Sequence, residues 1–292
     1  MSKIIVIVGP TGIGKTKLSI ELAKRLDAEI INGDSVSIYK GLDIGSAKPS
    51  IEEREGIKHH LIDIREVEEE YSVYDYQIDG RKVLDELISK NKNIIIVGGT
   101  GLYIKALLYD YNFQKEKEKY DFSNLSNIEL FNRIKEFDPN IDIHINNRKR
   151  LIRRLTKLLN GEEISTNKDK LLYSSIFIGL TADREIVYKR INDRVDVMIN
   201  NGLLDEINNL KDKYNNSRIL NTAIGYKEFK DYLEGKESLN DVLDKVKRNS
   251  RRFAKRQYTF FKHQFNIKWF ETNFYDFNIT INEIYNYVKD TQ

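Results

Sequence analysis

Cysteine is absent from this chain of 292 residues. That absence excludes disulfides, thiolate zinc sites, Cys-ligated iron–sulfur clusters and cysteine nucleophiles together. Histidine occurs four times and never in an H-E-x-x-H arrangement, so a metal centre built from imidazoles has little material. Three prolines and sixteen glycines argue against a collagenous, Pro-rich or Gly-linker chain. Long apolar runs are missing as well. The longest, around Ile4–Val8 and Ile94–Val97, are far too short to cross a bilayer, so no membrane association is expected. Lys3 precedes a short apolar stretch, but Gly9 to Thr16 stand where a signal cleavage site belongs, and a cytoplasmic protein is the expectation. Net charge is only +3, so the placement of basic residues matters more than their sum.

What is present has the periodicity of an α/β protein. Lys3–Val8 is a β-branched run, Gly9–Lys15 is punctuated by glycine, and Leu18, Leu22 and Leu26 recur at helical spacing. Glu29–Ile31 predicts a second strand, ending in Asn32, Gly33 and Asp34, and Leu61–Ile64 predicts another. Val73–Ser89 predicts a helix, and Ile94–Val97 a buried strand followed by Gly98, Gly99 and Thr100. Strands alternating with helices imply a mostly parallel sheet with functional groups at the strands' carboxyl ends. Tyr111–Asn124 is a polar connection, and Ser126–Asn160 reads as helical with one break at Asp138-Pro139. The sheet signal resumes at Ser175–Leu180. Residues 112–174 are therefore expected to be a helical insertion in a core made of 1–111 and 175–292. A long helix from about Leu239 to His263, a strand at Ile267–Phe270 and a helix at Ile279–Val288 complete the expectation.

Gly9-Pro10-Thr11-Gly12-Ile13-Gly14-Lys15-Thr16 matches G-x-x-x-x-G-K-[ST], the P-loop, between a predicted strand and a predicted helix. From average composition, a chance match in this length is on the order of one in a hundred. The loop's backbone N–H groups and the helix N-terminus cradle phosphate, Lys15 adds a cation, and Thr16 can hold Mg²⁺. Phosphate binding does not by itself imply ATP hydrolysis. Ile94–Val97 runs into Gly98-Gly99-Thr100, without the acid that many nucleoside triphosphatases place at such a strand end.

A second signature follows at Asp34-Ser35-Val36-Ser37-Ile38-Tyr39-Lys40-Gly41-Leu42-Asp43-Ile44-Gly45-Ser46-Ala47-Lys48-Pro49. Later come His59-His60-Leu61-Ile62-Asp63, Tyr71-Ser72-Val73, Val97-Gly98-Gly99-Thr100-Gly101-Leu102-Tyr103 and Arg190-Ile191-Asn192-Asp193-Arg194-Val195. Ala223-Ile224-Gly225-Tyr226-Lys227-Glu228, Ala254-Lys255-Arg256-Gln257 and Trp269 continue the order. Together with the P-loop this set resembles the tRNA dimethylallyltransferase family, also called tRNA isopentenyltransferase, over nearly the whole chain. One departure is Ser37, where many relatives have glutamine. The resemblance implies a P-loop core with a helical insertion. It also implies transfer of a dimethylallyl group from dimethylallyl diphosphate to N6 of adenosine 37 in the tRNA anticodon stem-loop; Mg²⁺ as cofactor and a monomeric chain are further expectations.

That chemistry makes demands on particular residues. An adenine amino group is a poor nucleophile, becomes positive as it attacks, and must lose a proton. Asp34 matches the family's general base, although an Asp-Ser pair after a strand also suits a helix N-cap or a Mg²⁺ ligand. Thr100 resembles the family's threonine near the reaction centre, and a turn or cap role accounts for it equally well on local sequence alone. Arg194 matches an arginine expected to reach diphosphate; by itself it could be solvated or paired with Asp193 or Asp196. Ser35, Val36 and Ser37 are expected beside the RNA.

Basic residues concentrate in two acid-free segments. Arg148-Lys149-Arg150-Leu151-Ile152-Arg153-Arg154 is one, and Lys245 to Arg256 on the long helix is the other. A basic run alone is commonly a solvated helix face. The resemblance instead implies tRNA contacts at Lys149, Arg150, Leu151, Ile152 and Arg153, and Lys255 and Arg256 are expected to join them. A P-loop kinase would leave both segments without a job. A nucleotide-switched RNA-binding protein would need a specificity motif such as N-K-x-D, which is not evident. An isopentenyltransferase acting on free AMP would need neither the insertion nor basic segments of this extent.

Overall fold

Ile4–Val8 is wholly apolar and wholly buried, the pattern of a strand with neighbours on both edges and both faces. In the computed structural model, which describes residues 2–111, 120–161 and 170–291, this strand is central. The strands are β1 (Ile4–Val8), β2 (Ala28–Asn32), β3 (His59–His60), β4 (Asn93–Val97), β5 (Ile176–Thr181) and β6 (Lys268–Glu271). They form one sheet in the order β3-β2-β4-β1-β5-β6, every pair parallel. The helices are α1 (Lys15–Leu26), α2 (Val73–Ser89), α3 (Gly101–Leu108), α4 (Asn127–Phe137), α5 (Arg148–Leu159), α6 (Arg184–Asn200), α7 (Leu203–Leu210), α8 (Lys230–Leu233), α9 (Leu239–Gln264) and α10 (Phe277–Asp290). No helix among the described residues is long and apolar enough to cross a membrane.

The chain divides into two compact units, 1–108 with 172–292, and 109–171. In the first, Ile5, Ile7, Ile30, Ile95 and Ile178 from the sheet pack with Leu18 and Leu22 of α1 and with Ile281, Ile284 and Val288 of α10. Because all strands run the same way, the loops after β1, β2 and β4 emerge at one edge. These carry the P-loop, Asp34 and Gly98-Gly99-Thr100, and β4 lies between β1 and β2, where crossovers diverge.

Two expectations need correction. The strand expected at Leu61–Ile64 is the short β3 just before it, because Leu61 (φ 61°) and Asp63 (φ 57°) adopt left-handed backbone that ends a ladder. The break at Asp138-Pro139 is also longer than one turn: α4 stops at Phe137 and α5 starts at Arg148. Pro139 cannot continue the helix, and Asn147 caps α5 by accepting from the Arg150 N–H. Between them Ile141 and Ile143 pack onto the second unit's own core of Phe122, Leu130, Ile134, Leu151 and Leu155. Most of the polar connection, including Gln114 to Lys119, lies outside the described residues.

Candidate active site

The loop after β1 has the geometry its glycines foretell. Gly14 takes φ 103° as the N-cap of α1, and a β-carbon there would sit 2.7 Å from the Phe277 ring. Lys15 folds back so that its Nζ donates to the carbonyls of Gly9 (3.0 Å) and Pro10 (2.9 Å). Arg190 Nε donates to the Gly12 carbonyl at 3.0 Å, and Arg194 donates to Thr11 Oγ1 at 3.3 Å. Lys15, Lys17, Arg190 and Arg194 thus line one cavity of about 660 Å³ with the first turn of α1. Desolvation lowers the Lys15 pKa to about 8; the Asp34 charge works against that shift and Arg194 with it. Desolvation likewise lowers Arg194, again opposed by Asp34.

Asp34 is held by its own loop. Its N–H donates to Asn32 Oδ1 (2.9 Å), and Asn32 Nδ2 donates to the carbonyls of Asp34 and Leu61 (2.9 Å each). Asp34 Oδ1 accepts from the Val36 N–H at 3.0 Å, an Asx turn, and no helix begins here for it to cap. Its Oδ2 accepts no hydrogen bond among the described residues. Thr100 precedes α3 in cap position, but its hydroxyl is turned to the Asp34 loop, accepting from Ser35 N–H at 3.0 Å and donating to Ser35 Oγ at 3.2 Å. Strand ends β2 and β4 meet at Gly98, where a β-carbon would lie 2.1 Å from the Gly33 carbonyl carbon.

These groups converge on a second cavity of about 310 Å³. Thr11, Lys15, Asp34, Ser35, Val36, Thr100, Arg194 and Arg256 all line it, with an apolar wall that includes Ile191, Val195, Met198 and Phe253. Lys15 and Arg194 border both cavities. Chemically, the site brings together cations able to stabilise developing negative charge and a carboxylate able to take up a proton. The apolar lining suits a small hydrocarbon.

Other expected residues lie apart. Ser37 is buried and lines a smaller cleft that it shares with Lys15, Asp34 and Arg194, its carbonyl accepting from Asp63 N–H. Lys255 faces a different hollow, beside Tyr188 and Tyr258. Leu151 is fully buried in the core of the second unit, so its side chain is not available to RNA, and Ile152 is partly buried against the same core. Lys149, Arg150 and Arg153 are exposed, at spacings that share one face of α5. Arg148 is occupied by the carbonyls of Phe122 and Leu125, and Arg154 by Asp138. On α9 the acid-free stretch is partly neutralised by acids remote in sequence, since Lys245 pairs with Glu237 and Lys247 with Asp196. Arg248, Arg252, Lys255 and Arg256 remain exposed along one side.

Two residues within the motifs above bond to the P-loop without having been singled out from sequence. Gln257 accepts from Thr11 N–H (3.0 Å) and donates to the Gly99 carbonyl (3.0 Å), so one buried amide ties the P-loop to the β4 loop. Arg190 is the other. The only hint for Gln257 was its place on the inward side of a helix, where a polar residue needs two partners.

A family model described as IPP transferase matches residues 37–264. A tRNA dimethylallyltransferase of Anoxybacillus flavithermus is 44% identical over 98% of this chain and 96% of its own. That of Bacillus subtilis is 44% identical over 92% and 90%. Among solved structures, the tRNA isopentenylpyrophosphate transferase of Bacillus halodurans is 39% identical with a TM-score of 0.78, covering 99% of this chain and 96% of its own. A eukaryotic dimethylallyltransferase described as acting on tRNA reaches 0.75 at 29% identity, over 92% of this chain and 74% of that one.

Proposed function

Since this chain belongs to the IPP transferase family and is a prenyltransferase, we propose that it moves the dimethylallyl group of dimethylallyl diphosphate to N6 of adenosine 37 in tRNA. The products are N6-isopentenyladenosine and diphosphate. The observation that supports this reaction best is the shared border of the two cavities, with Lys15 and Arg194 on it and Asp34 also lining the smaller one. The adenine N6 forms a bond to the allylic carbon as the carbon–oxygen bond to diphosphate breaks, and the leaving oxygen keeps the electron pair. Lys15, Arg194 and the loop amides stabilise that charge. Asp34 Oδ2 orients N6 and takes its proton, and Thr100 and Ser35 keep the Asp34 loop in register. The adenine must leave its stack to reach this depth, which suits an unpaired loop and not a duplex.

The residues also fit Mg²⁺. Thr16 is exposed in the first turn of α1, and its hydroxyl makes no hydrogen bond among the described residues. No cluster of three or more acidic or histidine residues among the described residues could cage a metal. Thr16, the P-loop hydroxyl, is the residue that would hold the ion beside a bound diphosphate. When bound, the ion neutralises charge on the departing diphosphate.

Single-turnover incubation of unmodified tRNA with dimethylallyl diphosphate and Mg²⁺, followed by nucleoside mass analysis, tests the reaction. AMP and ATP-only incubations run beside it. A prenyl adduct on adenosine N6 of tRNA is expected; prenylated AMP alone, or phosphate transfer from ATP, would replace the proposal.

Two further results follow from the same residues. With a pKa of about 8, Lys15 is cationic below that pH and loses its charge above it. Affinity for dimethylallyl diphosphate should therefore be level near pH 7, above the ligand's own last ionisation at about 6, and fall up to about tenfold per unit above about pH 8. Lys15→Arg, which does not titrate in this range, should abolish the fall. Equal pH profiles for the two proteins would remove Lys15 from diphosphate binding. Neutralising Arg150 and Arg153 together should weaken tRNA binding and reduce the slope of log affinity against log salt by about 1–2. An unchanged slope would return that face of α5 to ordinary solvation.

A further inference from the structure

Glu206 lies in the first turn of α7, where an acidic side chain ordinarily just complements the helix dipole. Here its carboxylate is turned onto another segment. Oε2 accepts from the N–H groups of Asp43 (3.0 Å) and Ile44 (2.7 Å), and Oε1 from that of Gly45 (3.0 Å). The Tyr226 hydroxyl donates to Oε1 at 2.7 Å and accepts from Ser46 N–H at 3.2 Å. Consecutive amides converging in this way form an anion nest, and the protein fills it with its own carboxylate. Gly225 allows the approach, since a β-carbon there would lie 2.8 Å from the Gly45 carbonyl oxygen.

The segment so gripped borders the site. Gly45, Ser46 and Ala47 line the cavity that holds Asp34 and Lys15. Ala47 sits in left-handed backbone (φ 53°), unfavourable for alanine, and its carbonyl accepts from Arg194 at 3.4 Å. From the other side Lys48, buried, donates to the Tyr39 carbonyl (2.7 Å) and to Asp43 (2.6 Å). The loop is therefore fixed at both ends of the turn that presents Ala47 to Arg194.

We propose that Glu206, with Tyr226, is a positioning residue for diphosphate binding: it clamps residues 43–46 so that the Ala47 carbonyl holds Arg194 toward the P-loop. This rests on the diphosphate site proposed above, and its test is separable from the transfer reaction. The test compares the unsubstituted chain with Glu206→Gln and Tyr226→Phe, using inorganic diphosphate as the calorimetric probe and amide hydrogen exchange as the structural one. A glutamine amide offers one acceptor oxygen and a donor that faces N–H groups. It should speed exchange at Asp43, Ile44 and Gly45 and weaken diphosphate binding by about tenfold. Tyr226→Phe, which removes one hydroxyl, should weaken it by about threefold and covers the case in which Glu206→Gln does not fold. Faster exchange with diphosphate affinity within twofold of the parent would reduce the clamp to a structural role and overturn the proposal, as would unchanged exchange. If the unsubstituted chain binds diphosphate but transfers no prenyl group, the reaction falls and the affinity comparison still decides the clamp. No diphosphate binding by the unsubstituted chain would overturn both.

Discussion

Asp34→Ala is expected to slow dimethylallyl transfer by about 10²–10⁴-fold, the usual contribution of a general base, while tRNA affinity stays within a few-fold. The split follows from the geometry. Asp34 Oδ1 is committed to the Val36 N–H, whereas Oδ2 is unengaged among the described residues and faces a cavity also lined by Lys15 and Thr100. The exposed cations on α5 and α9 are untouched by the substitution. Asp34→Asn is the companion variant, because an asparagine oxygen can keep the turn to Val36 yet cannot take up a proton. Both variants should therefore be slow, with alanine also perturbing the loop. A transfer rate equal to the parent's in Asp34→Asn would withdraw the assignment of the base.

Gly98→Ala should be the most damaging single methyl group in the core unit. The added carbon would meet the Gly33 carbonyl carbon at 2.1 Å, its oxygen at 2.2 Å and its Cα at 2.5 Å, all backbone. No rotamer change relieves a backbone clash. The ends of β2 and β4 would have to part, against the bond from Gly33 N–H to the Val97 carbonyl (2.7 Å) and that from Thr100 N–H to Gly33 (3.1 Å). Overpacking a relaxed core costs about 1–3 kcal/mol, and this site should exceed that range. For a chain of this size the melting temperature should drop by roughly 10 °C, if soluble protein forms at all. Asp34 and Thr100 hang from these two strand ends, so transfer should fall as well. Calorimetry decides the matter: melting within about 2 °C of the parent would mean that the two loops are not held as close as described.

Local signals carried much of the fold. Val73–Ser89 was legible from its helical pattern, and a capping box of Ser72 and Asp75 fixes its first turn. The P-loop was legible because a contiguous motif specifies its own backbone. Asp34 and Thr100 were singled out chiefly through resemblance: among the described residues the Asp34 carboxylate bonds only within its own turn, to Val36, and the Thr100 hydroxyl meets Ser35 from a separate strand end. Glu206 gave no signal at all: its ligands are amides at 43–45, which every residue but proline possesses. The same reason explains α9, where charge balance depends on Asp196 and Glu237 brought in by tertiary structure. The long break between α4 and α5 did carry a signal, because Ile141 and Ile143 are two apart and pack on the same core, a spacing no helix gives to one face.

The place of β5 beside β1 has a consequence for synthesis. Ile5 pairs with Ile176, so the central strand receives one of its two neighbours only after the intervening unit has been made. Until then a nascent chain that has emerged as far as Leu108 can assemble β3-β2-β4-β1 with β1, five apolar residues long, as an open edge. At 5–20 residues per second, translating the stretch to Ile176 takes roughly 3–14 s, long compared with strand pairing. An exposed, flat, apolar edge recruits other strands. The hazard for this polypeptide is thus greatest midway through translation, and it ends when β5 closes over β1.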